Sequence, residues 1–149
     1  MIATRLREGV GAGVVGGIVG VVWGLLMSPI LGTDLVRETR LAAGPLLGVA
    51  ALEPGNAPLA LIVGGASHML VSVAWGAVFA LTCGGRSPGG TLLAGVPFGV
   101  VVWIAMFHVV LPLLGASWVV VGFSAARAMT EHVVYGLGVA LGLLLMRSH

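Results

Sequence analysis

The spacing of the charged side chains constrains this chain most, because it leaves four long stretches without charge. With histidine counted as neutral, these stretches lie between Glu8 and Asp34, Glu53 and Arg86, Arg86 and Arg127, and Glu131 and Arg147. A helix needs about 20 predominantly apolar residues to cross the hydrocarbon core of a bilayer. The sequence therefore predicts an integral membrane protein in which four spanning helices form an all-α bundle.

The composition is that of a membrane protein with one domain. Only 8% of the residues are charged and 58% are hydrophobic, whereas about 25% of an average soluble domain is charged. We predict a single transmembrane domain over residues 1–149, with spans at about residues 9–30, 57–83, 91–114 and 124–146. The first apolar run exceeds the roughly 7–15 residues of a secretory signal, so we expect a retained helix.

Several function classes lack the residues that they require. The seven basic side chains are all arginines near span ends, and they form no basic run that would bind nucleic acid. Cys83 is the single cysteine, which rules out an intrachain disulfide and a CxxC motif. Since the sequence has no HExxH motif, nucleophile–base arrangement or nucleotide fingerprint, we predict a protein that is not an enzyme.

The sequences of the loops between the spans predict their local structure. Asp34 can cap a short amphipathic helix, which we expect to lie on the membrane surface with Arg37 and Glu38 on its polar side. Residues 43–58 are rich in Gly, Pro and Ala and are expected to be irregular. The short turn at residues 84–90 should make the second and third spans antiparallel neighbours.

The arginines favour one orientation in the membrane. If the first span starts inside, the arginines near the cytoplasmic ends are Arg5, Arg7, Arg86 and Arg147. Three arginines and three carboxylates then lie outside: Arg37, Arg40, Arg127, Asp34, Glu38 and Glu53. Because positive side chains concentrate on the cytoplasmic side, we predict a multi-pass protein of the cell inner (plasma) membrane with both termini in the cytoplasm.

A short repeat relates the two halves of the chain. A shift of 83 residues aligns the Pro-x-x-Gly that begins at Pro29 with the one that begins at Pro112. A shift of 64 residues aligns His68 with His132. These matches predict a tandem repeat of one helix pair, with the two copies related by an axis along the membrane normal.

Glycine recurs at four-residue spacing in the spans, which is the pattern of closely packed membrane helices. The first span carries two series, and the third and fourth spans carry one each: Gly13 and Gly17, Gly16, Gly20 and Gly24, Gly95 and Gly99, and Gly138 and Gly142. Because the first span carries two glycine series, we predict that it packs against two neighbouring helices. Both neighbours can belong to this chain, or one series can face another subunit or a second copy.

Three histidines fall within the spans, where titratable side chains are costly and usually functional. At a rise of about 1.5 Å per residue, His68, His108 and His132 all lie in the outer half of the membrane, where three imidazoles can meet in the interior. Met129 and Tyr135 lie on the face of His132. We therefore take the histidines and Tyr135 as candidate cofactor-binding residues, and His68, His132 and Met129 as candidate metal ligands.

These side chains are compatible with several ligands. Neutral imidazole is the commonest metal ligand in proteins, and imidazole with a thioether suits a soft ion such as copper(I). Paired imidazoles can hold haem iron, and a single imidazole can hold the magnesium of a chlorophyll-type pigment. Alternatively, the histidines hydrogen-bond neighbouring groups, transfer protons or contact a substrate.

Arg127 and Glu131 are the charged pair of the fourth span. Glu131 lies about 10 Å along that span, where an unpaired carboxylate is costly. Arg127 is one helical turn away and can pair with it. Three roles are compatible with this pair: a structural ion pair near the outer boundary, a proton relay or substrate-binding carboxylate, and a contact between subunits.

The order of motifs resembles a known group of proteins. His132, Tyr135 and Gly136 form an H-x-x-Y-G pattern, the first span ends in Met-Ser-Pro, and a P-x-x-G follows the third span. This arrangement resembles the YagU-like group of small four-helix prokaryotic membrane proteins. The resemblance implies four helices in the inner membrane of a bacterium or archaeon, and it implies no activity or cofactor.

Three functional hypotheses follow from the sequence. The first is a non-catalytic membrane subunit that packs against a larger assembly, such as an electron-transfer or photosynthetic complex. The second is a protein that binds haem, a pigment or a metal through its intramembrane histidines. The third is a small transporter or proton pathway, since repeated helix pairs recur in transporters.

Overall fold

The computed structural model describes residues 2–148, which form helices and turns without a strand in that range. The α-helices are α1 (Ile2–Leu31), α2 (Leu35–Ala42), α3 (Gly44–Leu47), α4 (Ala57–Cys83), α5 (Pro88–Ala105), α6 (Leu111–Leu113), α7 (Ser117–Val121) and α8 (Ala125–Arg147). A π-helical turn (Met106–Val110) joins α5 to α6, and 3₁₀ turns (Gly48–Leu52 and Pro54–Asn56) precede α4. The prediction of an all-α fold is confirmed.

Four helical segments are long and apolar enough to cross a membrane: Ile2–Leu31, Pro54–Cys83, Pro88–Leu113 and Ala125–Arg147. They coincide with the four predicted spans except at the first, where the helix begins several residues earlier. That extension places Arg5 and Glu8 on α1, because no helix-breaking residue stands before Gly9.

The four long helices pack in the order α4, α1, α8, α5. α1 lies at the centre of the packing and contacts both α4 and α8, and α8 also contacts α5. The turn at residues 84–90 makes α4 and α5 consecutive and antiparallel, but their backbones approach each other at few points. They meet instead through aromatic side chains, with the ring centroid of Phe98 4.8 Å from Phe79 and 6.2 Å from Trp75.

Glycine residues allow the backbones of neighbouring helices to approach each other closely. A Cβ atom on Gly13 would lie 2.5 Å from the carbonyl oxygen of Ser72 in α4, so no side chain fits there. A Cβ on Gly138 of α8 would lie 3.1 Å from the Cα of Gly16 in α1. Between α5 and α8, a Cβ on Gly99 would lie 2.8 Å from the Cα of Val133. Lipid provides no hydrophobic drive between helices, so such close contacts stabilise the bundle.

The remaining glycines of the predicted series also face helices of this chain. Gly17 contacts α4, Gly95 lies against α8, and Gly142 lies against α1. Gly24 contacts Leu35 of α2. Gly20 has the most space of the series, because a Cβ added there would lie 3.9 Å from its nearest neighbour, the ring of His68. Both series on α1 are therefore used inside one chain.

The helix pairing agrees with the predicted halves of the chain. α1 packs against α4 and α5 packs against α8, which are the two helix pairs that the sequence matches relate. The pairs are joined mainly through α1 and α8. Because the equivalent contact between α4 and α5 is sparse, one side of α5 is left without a neighbour among the described residues.

The first loop differs from its prediction in two respects. Asp34 caps α2 as expected, since its side chain accepts a hydrogen bond from the amide of Arg37 at 3.1 Å. However, α2 packs against α4 and buries Glu38, which the prediction places on the polar side of the helix. Residues 43–58 are not irregular: they form α3 and the 3₁₀ turns, because small residues such as Ala43 and Ala51 let these turns pack closely.

Replacing Gly13 by alanine should destabilise the bundle. The new methyl group would press on the backbone of α4, and overpacking of this kind costs about 1–3 kcal/mol. The free energy of unfolding, measured by chemical denaturation in mixed micelles, should fall by that amount. Gly20→Ala is the matched control on the same helix and should leave the free energy of unfolding nearly unchanged. Equal losses for both variants would contradict the packing described.

Candidate functional site

The most buried charged side chain among residues 2–148 is Arg127, near the start of α8 and 5% exposed. Its guanidinium forms a bidentate ion pair with Glu38 of α2, with N–O distances of 2.7 Å to each carboxylate oxygen. Bidentate pairs of this kind are among the strongest hydrogen bonds that side chains make. The pair therefore connects the first loop to the fourth span.

Two further groups complete the shell around this guanidinium. Its Nε atom donates to Glu131 one turn along α8 at 3.0 Å, and an Nη atom donates to the hydroxyl of Ser28 at 3.2 Å. Ser28 in turn donates to the carbonyl of Gly24 at 2.7 Å. We call Arg127, Glu38, Glu131 and Ser28 the Arg127 cluster; it joins α1, α2 and α8.

The Arg127 cluster contains one cation and two carboxylates. With both carboxylates ionised it carries a net charge of −1, and Glu131 is its more accessible acid, with a side chain 22% exposed against 10% for Glu38. A buried charge is tolerated only when it is paired and hydrogen-bonded. Three charges in contact make this the strongest electrostatic feature of the bundle.

Sequence reasoning missed two members of the cluster, Ser28 and Glu38. The amphipathic pattern predicts Glu38 on the polar, solvated side of α2, whereas Leu41 and Glu38 both face the bundle. The sequence does contain one indication that Glu38 is buried. Arg127 lies in a span, and a buried arginine needs more than one hydrogen-bond acceptor. Arg37 adds a second connection, donating to the carbonyl of Gly122 at 2.9 Å.

Two of the three intramembrane histidines lie partly buried in the bundle. The Nε2 atom of His68 is 3.1 Å from the carbonyl of Gly17 in α1, and the Nδ1 atom of His132 is 2.7 Å from the carbonyl of Ala128. A carbonyl only accepts hydrogen bonds, so in each neutral ring the bonded nitrogen carries the proton. The other nitrogen of each ring keeps a lone pair for a proton or a metal.

The neighbours of these rings are mainly apolar. The ring of His132 meets Phe107 edge-on with centroids 5.6 Å apart. Tyr135 lies in the core, where its hydroxyl donates to the carbonyl of Ser72 at 2.7 Å. This hydrogen bond joins α8 to α4, so the Tyr135 hydroxyl is already used as a donor within the bundle.

His108 does not join the other two histidines. It is exposed on the outside of the bundle, in the π-helical turn, and meets the ring of Trp103 edge-on with centroids 5.3 Å apart. The expectation that all three imidazoles meet in the interior is therefore not met for His108. Sequence spacing indicates a common depth for the three residues but not the side of the helix on which each projects.

The three predicted metal ligands do not lie together either. Met129 is 40% exposed and does not lie in the interior with His68 and His132. Within the described range, no three or more His, Cys, Asp or Glu side chains are grouped so that they could hold a metal ion. The two interior imidazoles are the remaining candidates for ligand binding inside the bundle.

These features define a four-helix membrane bundle with a buried ion cluster at one end. No family model, curated protein or solved structure matches the chain. The resemblance to the YagU-like group therefore stays a prediction.

Replacing Arg127 by methionine should strongly destabilise the protein. The change leaves Glu38 and Glu131 buried against each other without a cation, and breaking a buried pair costs about 3–5 kcal/mol. The free energy of unfolding in mixed micelles measures this loss. Arg37→Met removes one exposed hydrogen bond and should cost about 1 kcal/mol.

A double variant provides the internal check on that result. Adding Glu38→Gln to Arg127→Met removes one of the two uncompensated carboxylates, so part of the lost stability should return. Purely additive losses would show that the two residues do not interact, which would contradict the ion pair.

Proposed function

We propose that this chain is a non-catalytic membrane subunit that packs against a different membrane protein in a larger assembly. The contact surface would be the outer face of α5 and the π-helical turn, which we call the His108 face. The observation that carries this proposal is the exposure of His108 within a spanning segment.

An exposed imidazole at this position is unfavourable in lipid. Ionisable side chains in spanning helices almost always face a bundle interior or pair with another group. His108 lies instead among exposed apolar side chains such as Ile104 and Val109. A neighbouring subunit that offers a hydrogen-bonding group would satisfy it.

The backbone around His108 supports the same proposal. The amide of Leu111 donates to the carbonyl of Met106 five residues back, so this turn contains one residue more than an α-helical turn. Pro112 follows directly and lacks an amide to continue the ordinary ladder. Single π-helical turns occur frequently at functional sites.

His108 also favours a second candidate function, the binding of a haem or chlorophyll-type pigment at that interface. An exposed imidazole can offer a nitrogen to the metal of a tetrapyrrole held between two subunits. Electron-transfer and photosynthetic assemblies contain such groups, and they remain the assemblies that we favour. The interior pair, His68 and His132, lies apart from this surface.

A transporter or proton pathway has less support. Glu131 and the two interior histidines would form only its outer half. Below them the core contains the fully buried side chains of Phe79, Val139 and Leu143, which are all apolar. The buried hydroxyl of Thr91, near the start of α5, is a polar group close to that level, but a continuous polar route across the bundle would need further ones.

We further propose that the protein lies in the cell inner membrane with both termini in the cytoplasm. The end of the bundle that contains residues 2–8, the turn at 84–87 and residues 147–148 is here called the terminal end. It carries four arginines and one glutamate, a net charge of +3, whereas the opposite end carries three arginines and four carboxylates, a net charge of −1. This asymmetry supports the orientation because cytoplasmic ends are enriched in arginine.

His108→Leu should release the chain from its assembly. In mild detergent, the wild-type protein purified from its native membrane should run with a second protein at fixed stoichiometry, well above its own 15.0 kDa. Thr130→Val, which removes an exposed polar group from α8, should keep the complex. A monomer, or a particle made only of this chain, would contradict the proposal; visible absorption lost only in His108→Leu would identify a pigment or haem.

Labelling of single cysteines should reveal the orientation. In a Cys83→Ala background, a cysteine replacing Glu53 should react with a membrane-impermeant maleimide in intact cells. A cysteine replacing Ser148 should react only after the cells are permeabilised. The reverse pattern would contradict cytoplasmic termini.

A further inference from the structure

A groove opens on the outside of the bundle between the end of α4 and the first half of α5. Its volume is about 440 Å³, and it exists because the backbones of these two helices approach each other at few points. Cys83 lines it from α4, and Leu93, Pro97 and Val101 line it from α5. Residues four apart lie on one side of a helix, so these three side chains form a continuous row. Leu93 is 77% exposed and Val101 is 55% exposed, so no described residue covers the row.

The row is longer than one lipid leaflet. Ile104, which is exposed three residues after Val101, continues it to the His108 face. The axial rise from Pro88 to His108 is about 30 Å, which is roughly the thickness of the whole hydrocarbon core. The acyl chains of one lipid reach through only half of that core, whereas a spanning helix of another protein can cover the entire row.

One residue of the row removes a backbone hydrogen bond from α5. Pro97 has no amide, so the carbonyl of Leu93 one turn earlier lacks its usual helical donor. In membrane helices, carbonyl groups freed by proline are satisfied by neighbouring helices and by serine or threonine side chains. Acyl chains contain no hydrogen-bond donor. Because both residues line the groove, an occupant with a hydroxyl side chain suits it better than hydrocarbon does.

Arg86 borders the groove at the terminal end. Its side chain is exposed and takes part in none of the ion pairs within residues 2–148, so an occupant with a carboxylate at this level gains a charge-assisted hydrogen bond. A second copy of this chain in the same orientation is a poor source of that carboxylate. Glu8 is the only acidic side chain at the terminal end, and it is 19% exposed with a carboxylate oxygen 3.9 Å from the Nε atom of Arg147.

We propose that the groove holds one spanning helix of the partner subunit, with a carboxylate beside Arg86 and a serine or threonine beside the carbonyl of Leu93. These two side chains would be about two turns apart on the partner helix, because Leu93 is seven positions after Arg86. The inference rests on the proposed function, since the row leads into the His108 face, and it specifies the chemistry of the partner there. Apolar side chains on the same side of the partner helix would pack against Leu93 and Val101.

Photo-crosslinking in the native membrane tests the occupant directly. With p-benzoylphenylalanine in place of Leu93, irradiation should link the chain to the partner. Peptide mapping should then locate the link in a spanning segment that has the carboxylate and the hydroxyl at the stated spacing. The matched control carries the same photoreactive amino acid in place of Leu70, which is 72% exposed on the side of α4 that faces away from Cys83. That position should form no adduct with the partner.

Two substitutions test the named contacts. Arg86→Gln should raise the dissociation constant of the purified complex about tenfold, the loss expected for a charged hydrogen bond. Arg7→Gln is the control, because Arg7 is exposed at the same end and does not line the groove. Pro97→Ala restores the missing amide of α5, so the partner hydroxyl loses its acceptor and the dissociation constant should rise about fivefold. Neither substitution should lower the free energy of unfolding of the isolated chain, which separates a partner contact from a structural role.

Each remaining outcome contradicts a different statement. If no second protein accompanies the wild-type chain, the proposed function fails and the inference fails with it. A second protein that links to p-benzoylphenylalanine at Ile104 but not at Leu93 would leave the proposed function intact and overturn the inference. Lipid adducts alone at Leu93 would assign the groove to acyl chains, and an adduct with a second copy of this chain would assign it to self-association; either result would overturn the partner helix.

Discussion

The close approach of α1 to two other helices is the constraint on which the rest of the bundle depends. In lipid, helices associate through packing and hydrogen bonds because burial of apolar surface brings no gain. Gly13 admits the backbone of α4, and Gly16 meets Gly138 of α8. With both sides of α1 occupied, α5 can pack only against α8. This arrangement leaves α5 at the edge, where His108 is exposed.

The polar end of the bundle follows from a second requirement, the neutralisation of Arg127. An arginine buried at the start of α8 needs several acceptors, and its own helix supplies only Glu131. The first loop supplies Glu38, which brings α2 onto the bundle. Electrostatics therefore positions the loop, whereas small side chains position the spans.

Much of this architecture could be predicted from the sequence, because hydropathy and glycine spacing are local properties. The spans and the capping of α2 by Asp34 follow directly from them. The side on which a residue projects is not local: His68 and His108 lie at similar depths, yet one faces α1 and the other faces outward. The π-helical turn also alters the register around His108, and no periodic pattern signals it. The burial of Glu38 likewise depends on Arg127, 89 residues away.

The central claim is that the glycine faces of α1 are used within one chain rather than between copies. Disulfide formation tests it directly. In a Cys83→Ala background, cysteines replacing Gly11 of α1 and Met146 of α8 can reach each other, because the nearest neighbours of a Cβ on Gly11 are all side-chain atoms of Met146, with its Cγ at 3.1 Å. Oxidation in native membranes should consume both thiols and leave the protein at monomer size on a gel. Covalent dimers as the main product would show that these faces join two copies, and would contradict the helix order described.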